Sequence, residues 1–249
     1  MEQHSKTLSV IIPLFNESKR IARNLPVIET KLEALERNYN MAVELILVND
    51  GSTDSTEKII REDSHFHTVH VITIMSNKGK GFALKKGFER AIGDHILFID
   101  ADLSTPLEHI ETFIQAMSDD ETILIGTRKV TNGLVKVNQP FLRRKLGQGF
   151  TFLSNVLLGT SVSDFTCGFK MFPRDAGKRI FDHVTIDRWG FDAEVIFLAK
   201  HFRYQLREIP VTWHNDFDSK VRLVRDVLGS LRDMVRIKLN TYQNVYDRS

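Results

Sequence analysis

The sequence predicts an α/β fold, a mostly parallel sheet flanked by helices in a single domain. Three observations predict it. Up to about residue 126, short apolar runs alternate with helix-like stretches, the pattern of parallel strands joined by crossover helices. The strand-like runs carry no polar face, as in strands buried on both sides. No Pro/Gly/Ser-rich linker divides the 249 residues, so one domain is expected to span 1–249.

Each element follows in turn. Leu8–Leu14 is a β-branched strand closing at Pro13, and helical sequence from Glu17 to about Arg37 follows, with Asn16 as its candidate cap. Val43–Val48 is a second buried strand. The polar turn Asn49-Asp50-Gly51-Ser52 leads from it into a helix over Thr53–Glu62. Val69–Ile74 is the third strand and Lys80–Ile92 the third helix. Ile96–Ile99 is the fourth strand; the next helix is expected near Pro106, a residue suited to a first helical position. Ile123–Ile125 closes the series. Beyond residue 128 the pattern is less regular, and this half is expected to pack over the first. An apolar, Gly-interrupted segment covers Phe141–Leu158, and short elements lie near Gly168–Phe172, Asp192–His201 and Leu206–Trp213. Within the amphipathic segment 219–240, Val221, Val224, Leu228, Leu231 and Val235 share one stripe at helical spacing, beside Arg222, Arg225, Arg232 and Arg236.

Composition narrows the function classes. A net charge of +2 gives little global steering, so nucleic acid is not an expected partner and basic function must come from local clusters. The single cysteine, Cys167, excludes a disulfide framework within the chain and fits a reducing compartment. No apolar stretch approaches the roughly 18 to 20 residues of a membrane span, and the first residues lack a signal peptide's apolar centre. A cytoplasmic protein is expected, at most peripheral on the cytoplasmic face of a membrane.

The most informative residues close the fourth strand: Ile96-Leu97-Phe98-Ile99-Asp100-Ala101-Asp102. In an extended chain, i and i+2 point to one side, so the two carboxylates should converge at the strand's carboxyl end, where open α/β sheets bind ligands. Two carboxylates about 4 Å apart repel by roughly 4 kcal/mol at an effective dielectric near 20. The pair must share a proton, spread into water or hold a cation, and oxygen ligands favour Mg2+ or Mn2+. The other strand ends are also polar: Phe15-Asn16-Glu17, Asn49–Asp54 and Ser76–Gly81. In the last of these, Lys78–Gly81 offers backbone N–H groups and two ammonium groups to a diphosphate. It is neither a P-loop nor a dinucleotide fingerprint, because no Ser or Thr follows Gly-Lys and Leu84 replaces the third glycine. A plain tight turn explains Gly79 and Gly81 equally well. His65 and His67 have no cysteine near them, and no zinc site is indicated.

The succession PLFNE, NDGSTD and NKGKGFALKKGFERAIGDHILFIDADLSTP resembles the family 2 glycosyltransferases of the GT-A fold, over residues 8 to about 128. The later Gly126-Thr127-Arg128, Asp164–Lys170, Arg188–Glu194 and Asp218-Ser219-Lys220-Val221 extend the resemblance to polyprenyl-phosphate sugar synthases, nearest the dolichyl-phosphate glucosyltransferase-like branch. The resemblance implies a nucleotide-sugar and metal half at 8–128 and an acceptor half at 129–249. It implies that Pro13, Phe15, Glu17, Asp50, Ser52, Asp54, Lys80 and Lys220 bind the nucleotide-sugar, with Asp54 supporting its turn. Asp100, Asp102 and Ser104 would hold Mg2+ or Mn2+, and Asp100, Asp102, Asp192, Glu194 and Arg128 would form the catalytic set. Arg128, Arg143, Arg144, Ser219 and Lys220 would take the acceptor phosphate. Two departures stand out: Phe15 replaces a more usual Tyr, and Ser104 replaces the Gln that the mannosyl branch tends to carry. The second favours UDP-glucose over GDP-mannose.

The chemistry is compatible. A phosphate monoester is anionic near neutral pH, its second pKa being about 6, so a polyprenyl phosphate needs no dedicated base. Asp192 and Glu194 suit a base for an alcohol acceptor, an orienting role, or the complement of a helix N-terminus. Arg143, Arg144 and Lys145 suit a phosphate or a solvated helix face. Blocks of apolar and basic residues in 141–158 suit a bilayer surface or membrane partner, whereas the later helix has core-facing and headgroup-facing readings. Cys167 is expected to be a small buried hydrophobe, and Trp189 and Trp213 core or acceptor-tunnel aromatics, the core being favoured. Rival readings are a non-lipid acceptor, a haloacid dehalogenase-type phosphohydrolase, and a non-catalytic nucleotide-sugar binding module.

Overall fold

The computed structural model describes residues 6–117, 119–128, 141–188, 190–214 and 223–247. Strands β1 (Thr7–Leu14), β2 (Ala42–Asp50), β3 (Val69–Ile74), β4 (His95–Ile99) and β5 (Thr122–Thr127) alternate with helices α1 (Ser18–Tyr39), α2 (Thr56–Glu62), α3 (Lys80–Arg90) and α4 (His109–Ala116). Then come α5 (Phe141–Leu158), β6 (Phe169–Pro173), α6 (Arg174–His183), α7 (Phe191–His201), β7 (Gln205–Pro210), α8 (Leu223–Tyr242) and a 3-10 turn at Val245–Asp247.

The strands form one sheet in the order β3-β2-β1-β4-β6-β5-β7. β1 lies parallel to β2 and β4, β2 to β3, and β5 to β7. Among the described strands only β6 is antiparallel, to β4 and β5. The chain order reverses at β1, which has β2 on one side and β4 on the other. Such a switch point opens a crevice beyond the carboxyl ends of the strands.

β6 corrects one expectation. The second half does not simply pack over the first, because β6 enters the sheet between β4 and β5. Its antiparallel direction brings its first residue, Phe169, into register with Ile99, the last residue of β4. The segment just before β6 therefore arrives beside Asp100, and a remote part of the sequence completes the strand-end site.

Continuous apolar runs in β1, β2 and β4 are buried on both faces of the sheet. Ile11, Phe88, Phe98, Phe172, Phe181 and Phe191 belong to one core layer, with α3, α6, α7 and α8. Val10, Ile12, Leu25, Leu47, Leu97 and Phe113 belong to the other, with α1 and α4. Burial of each such side chain contributes about 1.5–3 kcal/mol.

Other expectations need correction. Asn16 does not cap α1. It adopts a left-handed conformation, φ 53°, and its side chain accepts from Thr53 N–H at 2.8 Å. A side chain tied to the β2 turn is unavailable to the helix. Helix α4 starts three residues after Pro106, because i+3 turns from Pro106 to Glu108 come first. In α8 the buried face holds Met234 and Ile237, while Val235 is 55% exposed. Of the stripe through Val235, that residue is thus on the exposed side, and the side chains of Val221, Val224, Leu228 and Leu231 lie outside the described set. Among the described residues, no helix is long and apolar enough to cross a membrane.

Candidate active site

β4 ends at Ile99 and the chain turns at once: Leu103 N–H donates to the Asp100 carbonyl at 3.2 Å, and Leu103 is left-handed, φ 52°. Asp100 and Asp102 thus approach through a turn, not through the alternation of an extended strand. A left-handed bulky residue costs roughly 1–2 kcal/mol, which the turn sustains while keeping both acids at the sheet edge. Ser104 N–H donates to Asp102 Oδ1 at 2.9 Å. Burial first, then the charge of Asp100, pushes the Asp102 carboxyl above its usual range, against the pull of Ser104 and Arg20. Asp100 Oδ1 meets Lys80 Nζ at 2.5 Å.

Gly168 backs this acid. A Cβ at residue 168 would overlap the Asp100 carboxylate, so only glycine allows the approach. The two carboxylates fit a divalent cation: they supply hard oxygen donors, each acts electrostatically on the other, and Asp100 borders a polar cavity. Mg2+ characteristically takes one or two protein carboxylates and completes its shell with phosphate oxygens and water.

Arg128, at the end of β5, forms the facing wall. Its Nε and Nη2 donate to the two Asp164 oxygens at 2.7 and 2.8 Å, and Nη2 also reaches Thr166 Oγ1 at 2.8 Å. Burial alone would lower its pKa, but the bidentate Asp164 pair holds it above the usual value. The guanidinium lies 5.6 Å from the Trp213 ring centroid. Asp100, Ser104, Arg128, Thr166, Gly168 and Trp213 line a common polar cavity of about 30 Å³. Trp213 thus lies in the cavity wall, in keeping with the second of its two expected places rather than the core. Cys167, also in this wall, is buried, and burial raises its thiol to about 11.

Behind this wall Lys170, fully buried in β6, donates to Asp192 Oδ1 at 2.5 Å and to the Phe165 and Cys167 carbonyls at 3.0 and 2.7 Å. This ammonium fixes the loop that carries Asp164, Thr166 and Gly168. Asp192 is consequently held by a lysine. Glu194 lies deeper, accepting from Thr185 and Ile186 N–H at 3.0 and 2.8 Å and from Tyr246 OH at 2.6 Å. These partners make Glu194 a strut between the loop before α7 and the C-terminal turn. The geometry does not bring it to the cavity.

The nucleotide-side residues form a braced edge. Asp50 accepts from Asn77 Nδ2, Lys78 N and Gly79 N at 2.8, 2.9 and 2.7 Å. Burial nevertheless pushes its carboxyl up. The Gly81 and Phe82 N–H groups donate to the Asp187 carbonyl. The expected offer of N–H groups to a diphosphate is therefore narrowed, since protein acceptors already occupy those of Lys78, Gly79 and Gly81. Asp54 accepts from Ser18 N and Thr56 N at 3.1 and 3.0 Å, bracing the turn. Ser52 Oγ accepts from Asn16 N at 3.0 Å, and Glu17 pairs with Arg20 at 2.8 Å. Pro13 is the penultimate residue of β1, and Phe15, just past the strand, is 39% exposed. Arg143 and Arg144 lie on α5 with side chains outside the described set; Trp189, Ser219 and Lys220 lie outside the described residues.

A model of the Glycosyl transferase family 2 domain matches residues 9–181. The chain belongs to this family. A dolichyl-phosphate beta-glucosyltransferase of Saccharomyces cerevisiae is 33% identical over 257 residues, covering 96% of this chain and 76% of that protein. The human protein of the same name is 31% identical over 94% of this chain and 76% of its own length. Among solved structures, a Pyrobaculum calidifontis mannosyltransferase in complex with GDP-Man and Mn2+ superposes with a TM-score of 0.63 at 17% identity, over 94% of this chain and 65% of that one. Glucosyl-3-phosphoglycerate synthase of Mycobacterium tuberculosis gives 0.62 at 18% identity, over 93% and 80%. This family 2 protein is a glycosyltransferase with a GT-A-like α/β domain.

Sequence reasoning passed over Asp164, Thr166, Gly168 and Lys170 as site builders. One signal was available: a lysine inside the apolar run Phe169–Phe172 requires a buried acidic partner.

Proposed function

We propose that this glycosyltransferase moves glucose from UDP-glucose to dolichyl or a related polyprenyl phosphate, with inversion, using Mg2+ or Mn2+; GDP-mannose is the next donor in preference. The observation that carries this reading is the facing of the Asp100–Asp102 turn and the Arg128 wall across one polar cavity, in a chain whose named relatives glucosylate dolichyl phosphate. The Mn2+ complex of the Pyrobaculum neighbour supports a divalent ion.

The reaction is a single displacement. An acceptor phosphate oxygen attacks the anomeric carbon as the bond to the nucleoside diphosphate breaks, and the electron pair leaves with the diphosphate. An α-linked donor then gives a β-linked product. Asp100 and Asp102, with Ser104 closing their turn, would hold the metal, which supplies charge neutralisation for the leaving group. The edge around Pro13, Phe15, Glu17, Asp50, Ser52 and Asp54 shapes the nucleoside side, and Lys80 and Lys220 are assigned to the donor. Arg128, with Arg143, Arg144, Ser219 and Lys220, is assigned to the acceptor phosphate, where guanidinium geometry suits the anion. Asp192, held by Lys170, orients the wall, and the already anionic acceptor needs no proton acceptor.

A peripheral stance on the cytoplasmic face of a membrane is proposed as well. Val235, Leu239 and Tyr242 are exposed at helical spacing on α8, with Arg232, Arg236 and Lys238 exposed among them. Phe152 and Val156 are exposed on α5, which packs against α8. Such faces suit the interface between acyl chains and anionic headgroups.

The direct test incubates the protein with Mn2+ or Mg2+, dolichyl phosphate, and UDP-glucose or GDP-mannose in parallel. Glucosyl-phosphoryl lipid from UDP-glucose, detected by mass spectrometry, is the expected outcome. Mannosyl lipid alone reverses the donor assignment, and lipid left unmodified by both donors overturns the acceptor assignment.

A further inference from the structure

We infer that Lys80 is an exchangeable counter-cation: its ammonium neutralises Asp100 until a divalent ion binds there, then passes to the donor diphosphate, so that metal and nucleotide bind with positive coupling. The inference rests on the proposed metal- and diphosphate-binding role of the acidic turn.

Four observations carry it. First, Lys80 Nζ occupies Asp100 Oδ1 at 2.5 Å, so an ion ligated by that acid meets an ammonium already in place. Two cations at such a separation repel strongly, and one of the three groups must move. Second, the Asp100 carboxylate is stopped on the β6 side, where it packs against Gly168 so closely that even a Cβ would overlap it, and its single methylene gives it little reach. Lysine has a flexible four-carbon stem, and the Lys80 side chain is still 27% exposed. The lysine is the mobile partner.

Third, among the described residues the acids that act on Lys80 besides Asp100 are Asp192 and Asp102, and neither is an equivalent partner for the displaced ammonium. Asp192 lies within electrostatic range of Lys80, but Lys170 already engages it at 2.5 Å. Asp102 would share the metal. The rings of Phe98 and Phe191, with centroids 5.8 and 5.7 Å from Nζ, offer only cation–π contact. Fourth, backbone N–H groups of the same loop are committed: Lys78 and Gly79 donate to Asp50, Gly81 and Phe82 to Asp187. With these four N–H groups committed, what this loop chiefly brings to a diphosphate is a side-chain cation. A metal binding alone leaves Lys80 unpaired, whereas a metal binding with a diphosphate supplies its new partner. Each ligand then strengthens the other, and by reciprocity to the same degree.

The test measures Mn2+ affinity from the electron paramagnetic resonance of the free ion, after allowance for ion held by free nucleotide. Wild type, Lys80→Met and Lys80→Gln are compared without nucleotide and with saturating UDP or, in parallel, GDP. Without nucleotide, both variants should bind Mn2+ on the order of tenfold more tightly than wild type, because no ammonium must be displaced. With nucleotide the ranking should reverse by a similar factor.

A second measurement needs no variant. Amine-reactive labelling of Lys80, read by mass spectrometry, should rise when Mg2+ is added and fall again when UDP or GDP joins it. Mn2+ binding weakened or unchanged by the substitutions in both conditions, or labelling indifferent to Mg2+, overturns the exchange while the metal reading stands. Failure of every form to bind Mn2+ overturns both.

Discussion

The two sides of the cavity hold their charges by different means. On the edge formed after β1, β2 and β3, Asp50 and Asp54 accept backbone N–H groups and fix the shapes of turns. On the wall formed by β5, β6 and α7, charged side chains pair with one another: Arg128 with Asp164, and Lys170 with Asp192. A backbone-held carboxylate is a local brace whose loss loosens one turn. A buried ion pair is a joint liability, since removal of one partner strands the other. Between these regions the Asp100–Asp102 turn follows neither pattern. Lys80 bridges one acid, and the other keeps a carboxyl that burial and its neighbour make reluctant to ionise. The place left short of positive charge is the place where the proposed reaction needs a cation.

Asp102→Asn should give the largest effect and separate function from stability most clearly. Transfer should fall by about 10³ or more, as expected when a principal stabiliser of developing charge is lost. The fold should hold or gain slightly, because the substitution relieves a buried like-charge contact with Asp100. Product assays and thermal melts on the same samples check both halves. Substantial metal-dependent transfer by this variant removes the acidic turn from the mechanism.

Lys170→Met comes next and probes the wall. Both partners are almost wholly buried, the side chains being 0% and 7% exposed, so stranding Asp192 should cost about 3–5 kcal/mol in urea unfolding. Adding Asp192→Leu should recover most of that loss, since an apolar pair is often as stable as the ion pair it replaces. A single substitution costing under about 1 kcal/mol would mean that the wall is no more demanding than a surface pair, and the contrast with the braced edge would fail.

Legibility in the sequence divides along the same line. Strands β1, β2 and β4 were readable because each is a largely apolar run ending in contiguous polar residues, and β3, VHVITI, by its β-branched residues. The wall was harder. Its antiparallel strand pairs Phe169 with Ile99 across 70 residues of sequence, and no local periodicity encodes that pairing. Asp164 and Gly168 consequently gave no sign of supporting Arg128 and Asp100. The turn after Ile99 was hidden too, because a left-handed leucine contradicts ordinary preference at Leu103. Asp192 and Glu194 look alike as acids in one helix's first turn, yet one meets a lysine and the other a tyrosine and backbone N–H groups.

Gly168→Ala tests the seam between the regions. The added methyl must displace the Asp100 carboxylate or shift β6, and overpacking of this kind costs roughly 1–3 kcal/mol. Transfer should fall about 10- to 100-fold, since displacing a group on which positioning depends is that costly. Mn2+ affinity should weaken alongside. Unaltered activity would show that Asp100 shifts into its solvent-exposed side without loss of positioning.

Asp54→Asn should have the smallest effect and the plainest pH signature. Burial alone would raise this carboxyl, but hydrogen bonds from Thr56 and Ser18 override it and bring it from 3.8 to about 2. A folded-state value below the unfolded one means that the ionised acid stabilises the fold. That contribution is fully present above about pH 4 and is lost as pH falls through about 2. Asp54 is exposed, so solvent screens the effect, and a loss on the order of 1 kcal/mol, typical of a capping carboxylate, is expected at pH 6. Unfolding free energies of wild type and variant should differ by that amount at pH 6 and converge as the pH approaches 2. A gap constant across this range would show that shape rather than charge explains the residue, and the backbone-braced edge would then owe little to its carboxylates.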